Sequence, residues 1–243
     1  MRKYILFILG AAAAFTMISC KDDDGHSLGT SYMSLATVEN PHEKPTGFVF
    51  TTDGGNSMWV AATGIPSYGP KNDTRILADY SILYDRPESD PYDYYVKLND
   101  YYNVLTKDAV FMDEENGEIA NDPISVRKIW VSGGFINIDF VLTGNNKTHY
   151  LNLVSNPLAD YRDGKTHLDF RHNKNDDAGL LDLRGIISFN PDTVLAEGAG
   201  LPLDIVIHWK APSGDSTYEV SYDKKTNEEA SSDKVNMGKA AFR

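Results

Sequence analysis

Between residues 125 and 222 the chain alternates apolar and polar residues with a period of two, and no sustained helical stripe interrupts it. Ile136, Ile138, Phe140 and Leu142 fall on one side, with Asn137 and Asp139 on the other. Leu168 and Phe170 oppose His167, Asp169 and Arg171. Leu203, Ile205, Ile207 and Trp209 oppose Asp204, His208 and Lys210, and Tyr218, Val220 and Tyr222 oppose Thr217, Glu219 and Ser221. Successive side chains of a strand point to opposite faces, so each segment reads as a strand with one buried and one solvated face. Strands are expected near 125–131, 134–142, 148–154, 166–172, 182–189, 203–210 and 217–222. Two antiparallel sheets packed face to face satisfy them.

The N-terminal half reads as five further strands, near 32–38, 47–51, 57–62, 75–84 and 94–105. Between them lie pieces rich in Gly, Pro, Asn and Asp, which supply the backbone angles of turns. Five short strands suit a small closed barrel of the OB kind. The acidic, core-poor stretch 113–123 reads as a linker. The expected organisation is all-β: signal peptide 1–19, polar tether 20–30, barrel 31–112, linker 113–123, sandwich 124–224 and polar tail 225–243.

The first residues determine where such a chain goes. Arg2 and Lys3 precede an apolar run from Tyr4 to Ile18, too short for a comfortable bilayer crossing and suited to a signal peptide. Met17-Ile18-Ser19-Cys20 resembles a lipobox. Cys20 is the single cysteine of the chain, so lipid on its sulfur would leave no thiol for a disulfide, a metal or a nucleophile. Lys21-Asp22-Asp23-Asp24 resembles the lipoprotein export signal of Bacteroidota. The expectation is a chain anchored in the outer membrane by its lipid and displayed at the cell surface.

Function classes narrow mostly by exclusion. The net charge is −12, and no block of Lys and Arg offers the basic face that nucleic acid requires. There is no nucleophile elbow and no phosphate loop, so no catalytic residue, metal ligand set or cofactor is assigned. His26 and His42 lie in polar segments. His172 shares parity with Leu168 and Phe170 and reads as a hydrogen-bonded, partly buried ring. The pairs His167/Asp169 and Asp204/His208 fall short of a metal's usual three or four ligands. Asn173–Gly179 fails the calcium-loop pattern, with Ala178 at the glycine position, and reads as a hairpin tip. Asp192-Thr193-Val194 and Asp215-Ser216-Thr217 resemble O-glycosylation acceptors of exported Bacteroidota proteins, at Thr193 and Ser216.

Tyrosine is the one unusual concentration. Tyr92, Tyr94, Tyr95, Tyr101 and Tyr102 fall within 92–102. In an unbroken strand Tyr92, Tyr94 and Tyr102 share a face, which makes them the candidate binding residues. Tyr95 and Tyr101 take the other face.

Arg75-Ile-Leu-Ala-Asp-Tyr-Ser-Ile-Leu, Val96-Lys-Leu-Asn-Asp-Tyr-Tyr-Asn-Val-Leu-Thr-Lys107, Gly133-Gly-Phe-Ile-Asn-Ile-Asp-Phe, His149-Tyr-Leu-Asn-Leu and Leu168-Asp-Phe-Arg-His-Asn173 occur here in the order found in NigD-like lipoproteins of Bacteroidota. The chain resembles that family over nearly its whole length. The resemblance implies an OB-like N-terminal domain and a C-terminal β-sandwich, with no catalytic residues. The expected function is non-enzymatic binding of an envelope protein or a glycan. Two alternatives are a bacteriocin-immunity or accessory role and a glycan-directed hydrolase.

Overall fold

The computed structural model describes residues 29–39, 48–65, 70–85, 90–112, 119–156, 159–196 and 200–224. Cys20, Lys21, Asp22, Asp23, Asp24, His26, His42 and the 225–243 tail lie outside them. Every regular element described is a strand. The first five are β1 (Tyr32–Glu39), β2 (Val49–Thr52), β3 (Ser57–Thr63), β4 (Arg75–Asp85) and β5 (Tyr94–Asn103). They close into a barrel in the order β1-β2-β3-β5-β4, with β3 and β5 parallel. Closure leaves the barrel without an open edge. Ala36, Phe50, Met58, Ile76, Tyr80, Val96 and Leu98 fill it.

The remaining strands are β6 (Leu105–Asp108), β7 (Val110–Phe111), β8 (Ser125–Ser132), β9 (Phe135–Gly144), β10 (Tyr150–Ser155), β11 (Thr166–Asn173), β12 (Leu181–Asn190), β13 (Leu203–Ala211) and β14 (Gly214–Tyr222). They form a four-stranded sheet, β6-β12-β9-β8, and a five-stranded sheet, β14-β13-β11-β10-β7. The residues predicted to be inward-facing, including Ile136, Ile138, Phe140, Leu168, Phe170, Ile205 and Ile207, make the core between the two sheets. Tyr218 departs from this pattern: it shares parity with Val220 yet is half exposed.

Two expectations need correction. Residues 105–111 do not belong to the barrel. β6 pairs in parallel with β12, and β7 in parallel with β10, so the chain leaves the barrel at Val104 and supplies one edge strand to each sandwich sheet. The acidic stretch 113–123 is therefore no spacer between domains, because β7 before it and residues 122–124 at its end both pair within the sandwich. The described part of it, 119–123, lies along the five-stranded sheet, with the Asp122 N–H donating to the His172 carbonyl at 2.7 Å.

The second correction concerns the polar face of β9. Asn137 and Asp139 are on the side opposite Ile138, as predicted, but that side does not face water. Asn137 is 0% exposed and so is Ser188 on β12, because the barrel covers this face. Met33, Leu35, Leu77 and Val104 pack there against Ile186, with Tyr102 and Trp130 alongside. The molecule is thus layered as barrel, four-stranded sheet and five-stranded sheet.

At the junction Arg75 is 2% exposed and makes a two-toothed ion pair with Asp53, at 2.9 and 2.8 Å. Its Nε donates to Ser188 Oγ at 3.1 Å, and a terminal nitrogen donates to Asn137 Oδ1 at 3.3 Å. Ser132 Oγ donates to Asp53 at 2.7 Å, and Asn137 Nδ2 donates to Ser132 Oγ at 3.0 Å. The guanidinium also lies 4.2 Å above the Phe135 ring. A buried charge is tolerable only when paired and fully hydrogen-bonded, and here barrel and sandwich each supply partners.

Candidate functional sites on the barrel wall and the outer sheet

Two exposed regions combine chemistry with shape. On the barrel wall, register places Trp59 of β3 opposite Tyr95 of β5, and Tyr95 opposite Tyr84 of β4. Directly paired residues share a face, so these three rings form a row across the outside of the barrel. Tyr84 stacks on Tyr95 with centroids 4.6 Å apart, and Tyr92 lies 5.0 Å from Trp59. Tyr84 is 50% exposed. Tyr95 hydrogen-bonds Asp90, which pushes its phenol up to about 12.

This row differs from the predicted trio. Of Tyr92, Tyr94 and Tyr102, only Tyr92 joins it. Tyr94 packs against the barrel core, as does Tyr101, while Tyr102 packs at the junction with the sandwich. Two causes act: Tyr92 precedes β5 and so escapes its alternation, and beyond it a β-bulge intervenes, because Asp79 pairs with Asp100 and Tyr80 with Leu98, leaving Asn99 as an extra residue. One inserted residue exchanges inside for outside along the rest of the strand. Trp59 and Tyr84 were not singled out in the sequence; a Trp at outward parity on β3 was the available signal.

The second region is the outer face of the five-stranded sheet, away from the barrel. His167 Nδ1 and His208 Nε2 are 2.8 Å apart, and His167 Nε2 lies 3.0 Å from Asp163. Tyr161 stacks on His167 at 3.6 Å. Hydrogen bonding to His167 holds the Asp163 carboxyl below the usual range, and burial holds the His208 ring down. Spacing had suggested the pairs His167/Asp169 and Asp204/His208; the hydrogen bonds made are His167 to His208 and to Asp163. Among the described residues no group of three or more His, Cys, Asp or Glu is placed to hold a metal.

Beside His208 a crevice opens where β11 and β13 diverge. The parallel ladder ends at Phe170 and Trp209. Beyond it the 121–124 segment is wedged between the strands, with Ile124 N–H donating to the Lys210 carbonyl at 2.9 Å. The resulting cavity, about 220 Å³, is lined by Asn121, Asp169, Arg171, Trp209, Asp215 and Ser216, among others. Arg171 pairs with Asp169 at 2.6 Å. Asn121 Oδ1, Arg171 Nε and Trp209 Nε1 are buried without a hydrogen-bond partner among the described residues. Each such atom costs about 1–3 kcal/mol.

The other two described histidines, His149 and His172, are structural. His172 Nδ1 donates to the Pro123 carbonyl at 3.1 Å, so its Nε2 is left to accept from His149 Nδ1 at 2.8 Å. His149 Nε2 meets Asp177 at 3.2 Å. Burial holds the His172 ring below its ordinary value. Burial alone would raise Asp177, but the N–H groups of Asn145, Ala178 and Asn146 and the His149 ring hold it well below the carboxylate range. With Asp177 so engaged, the 173–179 loop is a tied turn. Thr193 spends its hydroxyl on the Ala109 carbonyl at 2.5 Å, and Ser216 lines the crevice.

Residues 35–104 match the family described as NigD-like N-terminal OB domain, and residues 108–222 match the NigD-like C-terminal beta sandwich domain. Among solved structures, a Bacteroides vulgatus protein of unknown function is 28% identical over 80% of this chain and 92% of its own, with TM-score 0.68. A Parabacteroides distasonis protein with a provisional toxin-related name is 29% identical over 80% of this chain and 94% of its own, with TM-score 0.64. A NigD-like immunity protein from Bacteroides caccae has the same fold at 15% identity and TM-score 0.56, over 80% of this chain and 92% of its own. No curated protein matches this chain.

Proposed function

The chain belongs to the NigD-like family, and from that premise we propose that it is a lipid-anchored surface lipoprotein that binds a protein partner and carries out no reaction. The observation that carries the reading is the Trp59–Tyr95–Tyr84 row with Tyr92 against it. Large amphipathic rings held on a rigid barrel supply contact area at little conformational cost. Asp85 follows Tyr84 and Asp93 follows Tyr92 in the chain, and Asp90 accepts from the Tyr95 hydroxyl, so a basic partner surface fits the row better than an acidic one. Lipid on Cys20 would anchor the chain, and Lys21-Asp22-Asp23-Asp24 would route it outward.

A narrower reading takes the partner to be a bacteriocin. It is supported by the provisional toxin-related name of the 29%-identical Parabacteroides distasonis structure.

A photo-crosslinker placed at Tyr84 in intact cells tests the binding surface. It should trap one protein with a basic surface, and Trp59→Ala should abolish the adduct without lowering the melting temperature. Equal trapping from a crosslinker at exposed Thr143, on the sandwich, would remove the barrel row from the account. If the trapped partner is a bacteriocin, deleting the gene should sensitise the cells to it. Labelling with an alkyne fatty acid should fail in Cys20→Ala. Proteinase K should strip the wild type from intact cells but spare a variant with residues 21–24 replaced by Ala.

A further inference from the structure

We propose that the crevice between β11 and β13 is a second binding site, independent of the barrel row, and that it takes one neutral sugar unit. Three side-chain atoms are buried without a partner among the described residues, and all three belong to residues lining this one cavity. Arg171 Nε–H and Trp209 Nε1–H can only donate; Asn121 Oδ1 can only accept. A ligand that satisfies the set must both accept and donate within a small space. Neighbouring hydroxyl groups do so, because each hydroxyl has one proton and two lone pairs.

Charge removes the competing ligands. The Arg171 cation is already matched by Asp169, and Asp215 adds a further carboxylate to the lining. The wall is therefore net negative and disfavours phosphate, sulfate or a carboxylate. An ammonium group would answer the carboxylates but leave the N–H donors of Arg171 and Trp209 unmatched. A neutral polyol meets both. The partly exposed Trp209 ring gives the cavity an apolar component suited to the C–H face of a sugar ring. Its size, about 220 Å³, is below the roughly 300–1,000 Å³ of sites for drug-sized ligands, so one ring fits where a cofactor does not.

The test uses the mature lipoprotein in detergent, labelled with 15N at tryptophan and titrated with the methyl glycosides of glucose, galactose, mannose and N-acetylglucosamine. At least one should shift the Trp209 indole N–H resonance saturably, with a dissociation constant of order 1 mM, while the Trp59 indole stays still. Arg171→Gln and Asn121→Ala keep that reporter, and each should weaken binding about tenfold. Circular dichroism melts establish that both variants are folded. The proposal is overturned if no glycoside moves the resonance, which would leave the crevice to ordered water only. It is equally overturned if inorganic phosphate or methylammonium shifts the resonance more strongly than the sugars, or if both folded variants bind as the wild type does.

Discussion

Arg75 at the domain junction and Arg171 in the outer crevice both lie on strands and both pair with an aspartate, yet their surroundings differ. Arg75 is bonded at every nitrogen, to Asp53, Thr37, Asn137 and Ser188. Arg171 bonds Asp169 through one terminal nitrogen and leaves Nε unmatched. The first network closes on itself and fastens barrel to sandwich. The second is open and needs something from outside. A buried charge hydrogen-bonded at every nitrogen points to architecture, and a buried N–H left unmatched points to a ligand, because an unmatched group is costly until something binds it.

The largest effect is expected where the closed network is opened. Asp53→Ala leaves the Arg75 charge buried and unpaired, which should cost about 3–5 kcal/mol and lower the melting temperature by roughly 10 °C. A change under about 1 kcal/mol would mean that water replaces the lost carboxylate and that the junction is looser than its geometry indicates.

The fit of the junction can be read from two adjacent glycines. Gly133 and Gly134 both have positive φ, +59° and +80°. A Cβ on Gly133 would clash with Asp53 Oδ1, whereas one on Gly134 meets nothing within 4 Å. Either alanine carries backbone strain of about 1–2 kcal/mol. Gly133→Ala should exceed Gly134→Ala by about a further 1 kcal/mol or more in urea unfolding. Equal costs would show that Asp53 moves aside freely.

A third prediction uses the other closed network, His172–His149–Asp177. The folded state holds both His172 and Asp177 below their ordinary values. It therefore binds fewer protons than the unfolded chain, and stability falls as pH falls. The His172 contribution is complete above about pH 6.5 and is lost below it; that of Asp177 is complete above about pH 3.9 and is lost below that. His172→Gln should flatten the decline between pH 6.5 and 5 while leaving the acid limb in place. An unchanged slope would assign the decline to other groups.

The smallest effect belongs to the open network. Trp209→Phe removes one unmatched N–H and keeps an aromatic ring, so stability should change by no more than about 0.5 kcal/mol. Arg171→Met should likewise cost less than 1 kcal/mol, in contrast to Asp53→Ala. A loss of several kcal/mol in either would make the crevice a structural element.

The barrel-to-sandwich order, and nearly every strand, was legible in the sequence because alternation is a local signal. The candidate sites were legible only in part. Tyr92 was found, but Trp59 and Tyr84 come from other strands and join it only through register. Asn121 stood in a segment read as linker. It reaches the crevice because β11 and β13, far apart in sequence, run parallel and then diverge.

Sequence by itself determined which residues of an unbroken strand share a side, since a strand's period of two is set by its own backbone. It could not determine what each side faces. Asn137 and Ser188 are polar and alternate like solvent-exposed residues, yet the barrel buries them against Arg75. The bulge at Asn99 turns Tyr101 inward and Tyr102 toward the sandwich. The first outcome depends on a neighbouring layer and the second on the pairing of β5 with β4, neither on the strand alone. Burial and bulges are decided by which surfaces meet, and that is a property of the assembled chain alone.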